Sequence, residues 1–341
     1  MKIAIHCTEK ENFCQDWIKY CINNKINYKK VNCLSANIFK DLDDCDILLW
    51  HWNHLNYSQY LIAKEFLFII EFYSDISIFP NFKTGWHFDD KIAQSILLER
   101  IQAPIPKYWT FFDEKSALEH KNEIEYPVVF KLRKGSGSSN VKLIKNKSMF
   151  EKEVKMMFSI GKNPTNNYIG DAIKKKGIFT YLKHILKIGL VTAIKRYFKF
   201  QKKTKSFPKE RDYFYIQEFI KDCDRDYRVI VIGDYAYAFE RFVRKNDFRA
   251  SGSGKFRIDQ QSIDKNLINI GFKIADKLNT DCITFDFVKS GRGYVILEIS
   301  YGFVPWKWES FWNRELKIIQ EPLNPVDLII KNIIQKHNSN H

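Results

Sequence analysis

The chain has no uncharged apolar run of the roughly 18 residues that a membrane-spanning helix needs, so such a helix is not expected. Its opening, Met1-Lys2-Ile3-Ala4-Ile5-His6-Cys7, is too short an apolar run and turns polar too soon to read as a secretory signal. No Cys-x-x-Cys pair occurs among Cys7, Cys14, Cys21, Cys33, Cys45, Cys223 and Cys282. An odd count at these spacings indicates neither a disulfide framework nor a zinc site, and predicts free thiols in a reducing cytoplasm. No Gly-x-x-x-x-Gly-Lys-Ser/Thr sequence is present, which excludes a Walker A loop. Internal repeats, zinc modules and a recognisable nucleic-acid recognition helix are also lacking.

What the 341 residues do hold is a globular composition, 45% hydrophobic and 28% charged, with 28 Phe and 17 Tyr. That length allows two or three packed units. The net charge of +15 is local. Residues 171–209 carry twelve Lys/Arg against one Asp, and the remainder is close to neutral.

Strand and helix patterns alternate over residues 1–84: strands at Ile3–Cys7, Tyr28–Cys33 and Asp46–Trp52, helices at Asn12–Ile22 and Tyr60–Ile70. This order predicts a small open α/β unit with a mainly parallel sheet. A helix is expected over Lys91–Arg100, with Ile92, Ser95, Ile96 and Glu99 on one side and acidic Asp89 and Asp90 at its start. Strands follow at Tyr108–Phe112, Val128–Leu132 and Val141–Ile144, then at Tyr213–Phe219, Tyr227–Ile232 and Tyr235–Val243. A helix at Asp264–Leu278, paired strands at Cys282–Val288 and Gly293–Ile299, and a helix at Pro325–Gln335 complete the pattern. The expected units are 1–84, 85–215 with a basic insertion at about 160–210, and 216–341.

Four groups of residues carry chemistry. The loop Gly135-Ser136-Gly137-Ser138-Ser139 can bring backbone and hydroxyl donors against phosphate, and Lys131 sits four residues before it on a strand. Read alone, such a loop is also an ordinary flexible hairpin. Asp286 and Glu298 lie on neighbouring strands, out of phase with Phe285, Phe287, Leu297 and Ile299. Paired carboxylates in an apolar setting repel unless a cation or proton lies between them, which suits Mg²⁺. Gln217-Glu218-Phe219-Ile220 could present backbone groups to a purine edge. The segment from Glu240 to Lys255, with Arg241, Arg244 and Arg249, could grip a phosphoryl group or be a solvated cationic hairpin.

In their order along the chain these motifs resemble the ATP-grasp superfamily, most nearly the branch of peptide- and protein-modifying glutamate ligases, over roughly residues 85–305. The resemblance implies an α/β (α+β) ATP-grasp fold, in which two lobes enclose the nucleotide behind an N-terminal pre-ATP-grasp unit. It implies an ATP- and Mg²⁺-dependent ligase that joins a carboxylate to an amine through an acyl phosphate. By the same resemblance, Lys91 and Lys131 would bind ATP phosphates and Gly135–Ser139 would cover them. Gln217, Glu218 and Phe219 would form the adenine hinge, and Asp226 would bind ribose. Arg228 and Arg249 would stand near the transferring phosphate, and Asp286, Glu298 and Ser300 would hold Mg²⁺. The family's Glu-x-Asn is here Glu298-Ile299-Ser300, and Tyr301-Gly302-Phe303 replaces its Pro-Gly. Endings of the Glu-x-Ser-Tyr kind resemble those of ATP-grasp proteins associated with bacterial surface polysaccharides. Serine at 300 also leaves room for a protein that binds ATP without turnover.

In the basic stretch, Phe179, Leu182, Leu186, Leu190, Ala193 and Tyr197 recur at spacings of three and four. One reading is a basic amphipathic helix on an anionic membrane, which would place the protein at the inner face of the cytoplasmic membrane. Another is an inserted helix pair with a solvated basic face. A third makes the stretch a polyanion- or nucleic-acid-binding element, which leaves Asp286 and Glu298 unexplained; specific nucleic acid is not an expected partner. The acceptor pocket is expected to draw on the N-terminal unit, residues 244–256 and Trp306, Trp308, Phe311 and Trp312.

Overall fold

The computed structural model describes residues 1–7, 12–135, 140–164, 207–244, 247–250 and 253–340, with positions 189, 192, 194 and 195 between them. Most of the basic stretch and Ser136–Ser139 therefore lie outside the described residues.

The N-terminal unit runs β1 (Lys2–His6), α1 (Asn12–Asn23), β2 (Asn27–Val31), α2 (Ile38–Leu42), β3 (Ile47–Leu49), α3 (Tyr57–Tyr73) and β4 (Ser77–Phe79). All sheet pairings are parallel in the order β2-β1-β3-β4, as the alternating pattern implied. α2 and β4, with five and three residues, are too short for periodicity to reveal.

The central unit begins with α4 (Phe82–Gly85) and α5 (Lys91–Arg100) and continues with β5 (Tyr108–Phe111), α6 (Glu114–Glu119), β6 (Val128–Phe130), β7 (Lys142–Ile144), α7 (Lys147–Met157) and β8 (Phe214–Glu218). Its antiparallel sheet is ordered β5-β8-β6-β7. α5 starts where Asp90 accepts the Ala93 N–H at 3.1 Å, an N-cap that satisfies an otherwise orphan donor. Its buried face is Lys91, Ile92, Gln94, Ser95 and Leu98. The apolar side expected from the sequence is thus rotated: Ile96 is exposed, Lys91 points inward to line the cavity, and Gln94 points inward to donate to His87 O at 2.9 Å and accept the Ile299 N–H at 3.2 Å.

The third unit holds β9 (Arg225–Ile232), β10 (Tyr235–Phe242), β11 (Phe256–Arg257), α8 (Lys265–Leu278), β12 (Cys282–Ser290), β13 (Gly293–Ser300), β14 (Phe311–Trp312), β15 (Ile318–Ile319) and α9 (Pro325–Asn340). The sheet is ordered β13-β12-β9-β10-β14-β15, with β11 added to β10. One face, with Val229, Val231, Ala236, Ala238, Phe285 and Phe287, is buried under α8. α8 approaches closely at Gly271, where a Cβ would stand 3.2 Å from Val229 Cγ1. The opposite face divides along its length by strand alternation. Its far half, Ile230, Ile232, Tyr237, Phe239 and Cys282, packs into the N-terminal unit's core. Its near half carries Asp226, Arg228, Arg241 and Asp286.

Three details depart from the sequence expectations. α9 packs into the N-terminal core through Val326, Ile329, Ile330 and Ile333, so the chain's end closes on its beginning. Trp308, Phe311 and Trp312 are buried packing residues rather than pocket wall: Trp308 stacks on Tyr237 at 5.0 Å, and the Trp312 indole N–H donates to Gln260 at 2.9 Å. Cys7 and Cys14 are joined as a disulfide across the end of β1 and the start of α1, with Cα atoms 5.6 Å apart. They are not the two free thiols expected, because strand and helix meet at this corner.

Candidate active site

Asp286 and Glu298 are direct cross-strand partners. The register slips immediately after them, so that Phe287 pairs with Ile296 and Leu297 is the extra residue of a bulge. A bulge re-aims neighbouring side chains, and here Leu297 and Glu298 both line one cavity. That cavity, about 530 Å³, lies between the central sheet, the third sheet and the N-terminal unit.

Two lysines face the carboxylates. Lys91 Nζ stands 3.4 Å from Glu298 Oε1, 4.0 Å from Asp89 Oδ1, and donates to the Gly135 carbonyl at 2.6 Å. Burial works against its charge, but Glu298 and Asp89 outweigh burial and hold its pKa above the ordinary lysine value. Lys131 is buried and donates to Gln217 Oε1. Burial brings its pKa down to about 8, opposed by Glu298 and Asp286. The residues 286, 298 and 131 thus share one space, as the sequence reading required.

Asp286 sits in an arginine clamp. Arg228 donates to Oδ1 at 2.8 Å and Oδ2 at 2.9 Å, and Arg241 reaches Oδ2 at 2.8 Å. Burial alone would raise its pKa, but the two guanidinium groups win and hold it well below the usual carboxylate range. Asp226 is bound to Arg241 at 2.6 and 2.9 Å; burial pushes its pKa up against that pull. Both Asp226 oxygens therefore already accept from an arginine, and a ribose hydroxyl would have to share them. Arg249 lines the cavity while paired with Asp247 at 2.9 and 2.7 Å.

At the expected hinge, Gln217, Glu218, Phe219 and Ile220 line an apolar end of the cavity with Val129 and Val141. The Glu218 carboxylate turns outward to Arg292 at 2.6 Å and the Lys107 N–H at 3.0 Å. Its backbone N–H bonds Lys107 O at 2.8 Å and is already spent. Phe219 meets Phe248 edge to face at 5.6 Å. Ser300 is engaged locally: its Oγ accepts the Gly302 N–H at 2.9 Å. Gly135 is held by Asp89, which accepts its N–H at 3.0 Å.

Sequence reasoning counted Arg241 only among arginines that could grip a phosphoryl group, not as a partner of Asp286, and gave no site role to Asp89 or His51. Arg241 was within reach, since it falls in phase with Tyr237 and Phe239 on β10. Asp89, with φ +55°, and His51, whose Nε2 is buried without a partner, carry no sequence signature.

The RimK-like ATP-grasp domain family matches residues 199–303, under a third of the chain. The alpha-aminoadipate–LysW ligase LysX of Saccharolobus solfataricus is 23% identical over 293 residues, covering 86% of this chain and 88% of the relative. A RimK domain ATP-grasp protein from Sphaerobacter thermophilus superimposes with a TM-score of 0.52 at 14% identity, over 98% of this chain and 100% of its own. The D-alanine–D-alanine ligase of Bacillus anthracis complexed with ATP gives 0.55 at 10% identity, over 100% and 99%. The chain belongs to the ATP-grasp superfamily. Structural likeness at these identities concerns the fold. For this ATP-grasp protein, the roles of individual residues rest on its own geometry.

The donor set fits a nucleotide-borne magnesium rather than a self-contained metal site. Among the described residues no group of three or more His, Cys, Asp or Glu gathers to hold an ion. Two carboxylates are what Mg²⁺ takes when substrate phosphates supply the remaining oxygens. Arg228 and Arg241 use three of the four lone-pair positions of Asp286, which leaves one on Oδ1.

Proposed function

We propose that the protein is an ATP- and Mg²⁺-dependent ligase that activates a carboxylate as an acyl phosphate and couples it to an amine, releasing ADP and phosphate. The observation that carries this reading is the cross-strand pair Asp286 and Glu298 facing Lys91 and Lys131 across one cavity.

In the first step a substrate carboxylate oxygen bonds to the γ-phosphorus of ATP, and the bond from that phosphorus to the bridging oxygen breaks. In the second the amine nitrogen bonds to the acyl carbon, phosphate leaves, and the nitrogen loses a proton. Lys91 and Lys131 would fix phosphate oxygens, and the apolar end at Val129, Val141 and Ile220 would take the adenine. Arg228 and Arg249 would face the transferring group. Mg²⁺, held by Asp286 and Glu298 with Ser300 nearby, would neutralise phosphate charge and raise the electrophilicity of phosphorus. Such chemistry depends on positioning and electrostatics, and no side chain becomes covalently attached. Ser136, Gly137, Ser138 and Ser139 would cover the phosphates and keep water from the acyl phosphate.

The Saccharolobus relative's name concerns alpha-aminoadipate, which supports an amino acid as one substrate here. The Glu298-Ile299-Ser300-Tyr301 ending and the cationic stretch support instead a sugar acid in surface polysaccharide synthesis at an anionic membrane face. Hydroxylamine trapping tests the core of the proposal. With ATP, Mg²⁺ and a panel of amino acids and uronic acids, at least one carboxylate should yield a hydroxamate. ADP release without hydroxamate from any of them would remove the acyl phosphate.

A further inference from the structure

The ligation chemistry leaves one proton without an acceptor. An amine of ordinary basicity arrives as an ammonium, and it must give up a proton before its nitrogen can attack the acyl phosphate. Among the described residues lining the cavity, most groups able to take that proton are engaged. Asp286 and Glu298 would hold the metal, Asp226 is bound by Arg241, and the Glu218 carboxylate is turned to Arg292. Lys91 and Lys131 are assigned above to the phosphates. His51 stacks on Phe13 at 4.1 Å, burial lowers its pKa to about 4, and its Nε2 is buried. That nitrogen stands 3.5 Å from where a Cβ on Gly302 would be, so the backbone there covers it.

His54 is differently placed. It follows β3 at the carboxyl end of the parallel sheet, whose strand order reverses between β1 and β3. Open α/β sheets receive ligands at such a point. The loop carrying it is fixed on both sides. The Asn53 N–H donates to Gln59 at 2.7 Å, Asn53 Oδ1 accepts the Leu55 N–H at 2.9 Å, and Asn56 caps α3 by accepting the Ser58 N–H at 3.1 Å. The half-buried ring lines the cavity and meets Phe88 edge to face at 5.1 Å. Two titratable groups face it, Asp89 and His51. Burial raises the Asp89 pKa, and both Lys91 and His54 oppose that rise. The attraction is mutual, so Asp89 as carboxylate stabilises an imidazolium at 54, while His51 is neutral and adds no cation. Asp89 stands 4.0 Å from Lys91, and Lys91 3.4 Å from Glu298, so His54 borders the metal-and-phosphate end of the cavity. Imidazole is also the side chain whose ordinary pKa lets it take a proton at neutral pH and pass it to water.

We infer that His54 is the base of the second step, taking a proton from the substrate ammonium at the wall that the N-terminal unit gives the cavity. This rests on the ligase reading proposed above and adds the group that makes the nitrogen nucleophilic. The ammonium gives one proton to a ring nitrogen of His54. The exposed lone pair forms the bond to the acyl carbon, and the bond from that carbon to the phosphate oxygen breaks. A second proton leaves the nitrogen with the phosphate, and His54 returns its own to water.

The test compares two nucleophiles of similar size, each with the carboxylate that gives most hydroxamate. Hydroxylamine is largely uncharged at neutral pH, whereas ammonium is charged there and needs a base. Hydroxamate and amide are measured by mass spectrometry in the unchanged chain, His54→Asn and His54→Gln, with urea unfolding as the check on each fold. The second variant covers a folding defect in the first. Removing the base should shift the ratio of hydroxamate to amide about 100-fold towards hydroxamate. Amide formation in the variants should climb about tenfold per pH unit towards the pKa of ammonia, as the uncharged amine accumulates. In the unchanged chain it should level off once the imidazole is neutral. An unshifted ratio in a folded His54 variant would overturn the inference and leave the ligase standing. Hydroxamate without any amide from ammonium in the unchanged chain would do the same. No hydroxamate at all would remove the ligase reading, and this inference with it.

Discussion

Replacing Lys131 by Met should separate function from stability. The side chain is buried, with its pKa brought from 10.5 to about 8 mainly by desolvation. At about 1.4 kcal/mol per pH unit, keeping it charged at pH 7 costs the folded protein about 3 kcal/mol. Methionine removes that cost and fills similar space. It also leaves Gln217 Oε1 without its donor, a loss of about 1–3 kcal/mol. The two nearly cancel, so Lys131→Met should unfold in denaturant within about 2 kcal/mol of the unchanged protein, on the stable side if anything. Nucleotide binding should behave oppositely. An ammonium about 4 Å from a phosphate charge at an effective dielectric of about 20 contributes about 4 kcal/mol, which bounds the loss at roughly a thousandfold. Calorimetric titration with a non-hydrolysable ATP analogue and Mg²⁺ measures that loss, and ADP release with the true carboxylate measures turnover. Affinity and turnover unchanged in a folded Lys131→Met would refute the placement of Lys131 at the phosphates.

Further outcomes follow from the same cluster. Because Lys131 loses its proton near pH 8 in the free protein, while a bound phosphate would keep it charged, nucleotide affinity should fall by about tenfold between pH 8 and pH 9 or a little above. Titrations in two buffers of different ionisation enthalpy should show proton uptake on binding there; equal heats would contradict this. Arg241→Met strands Asp226 and Asp286 with one fewer partner each in a buried setting, and should lower stability by about 3–5 kcal/mol in urea unfolding. Gly302→Ala places a Cβ 3.4 Å from Phe88 and 3.5 Å from His51, in ordinary contact, so the fold should hold. Its effect should appear in the KM of the carboxylate or amine and leave that of ATP unchanged.

Much of this was legible before the structure. Strand alternation placed Asp286 out of phase with Phe285 and Phe287, and those phenylalanines are indeed buried under α8 while the aspartate faces the cavity. The parallel N-terminal sheet followed from the order of its elements. What stayed hidden was tertiary. The buried side of α5 is chosen by where Lys91 and Gln94 must point, and helical periodicity alone selects the more apolar side instead. Trp308 and Trp312 read equally well as pocket wall or packing until Tyr237 and Gln260 are placed against them. The arginine clamp on Asp286 joins residues 45 to 58 positions apart, which no local pattern connects.

The most direct measurement is the affinity of a non-hydrolysable ATP analogue with Mg²⁺ and with the metal chelated, in the unchanged protein and in Glu298→Gln. Two carboxylates supplying protein oxygens to a nucleotide-bound ion predict at least about 100-fold weaker binding on chelation in the unchanged protein. In Glu298→Gln most of that difference should be gone. Equal affinity with and without Mg²⁺ in the unchanged protein, or a full Mg²⁺ effect in Glu298→Gln, would contradict the account.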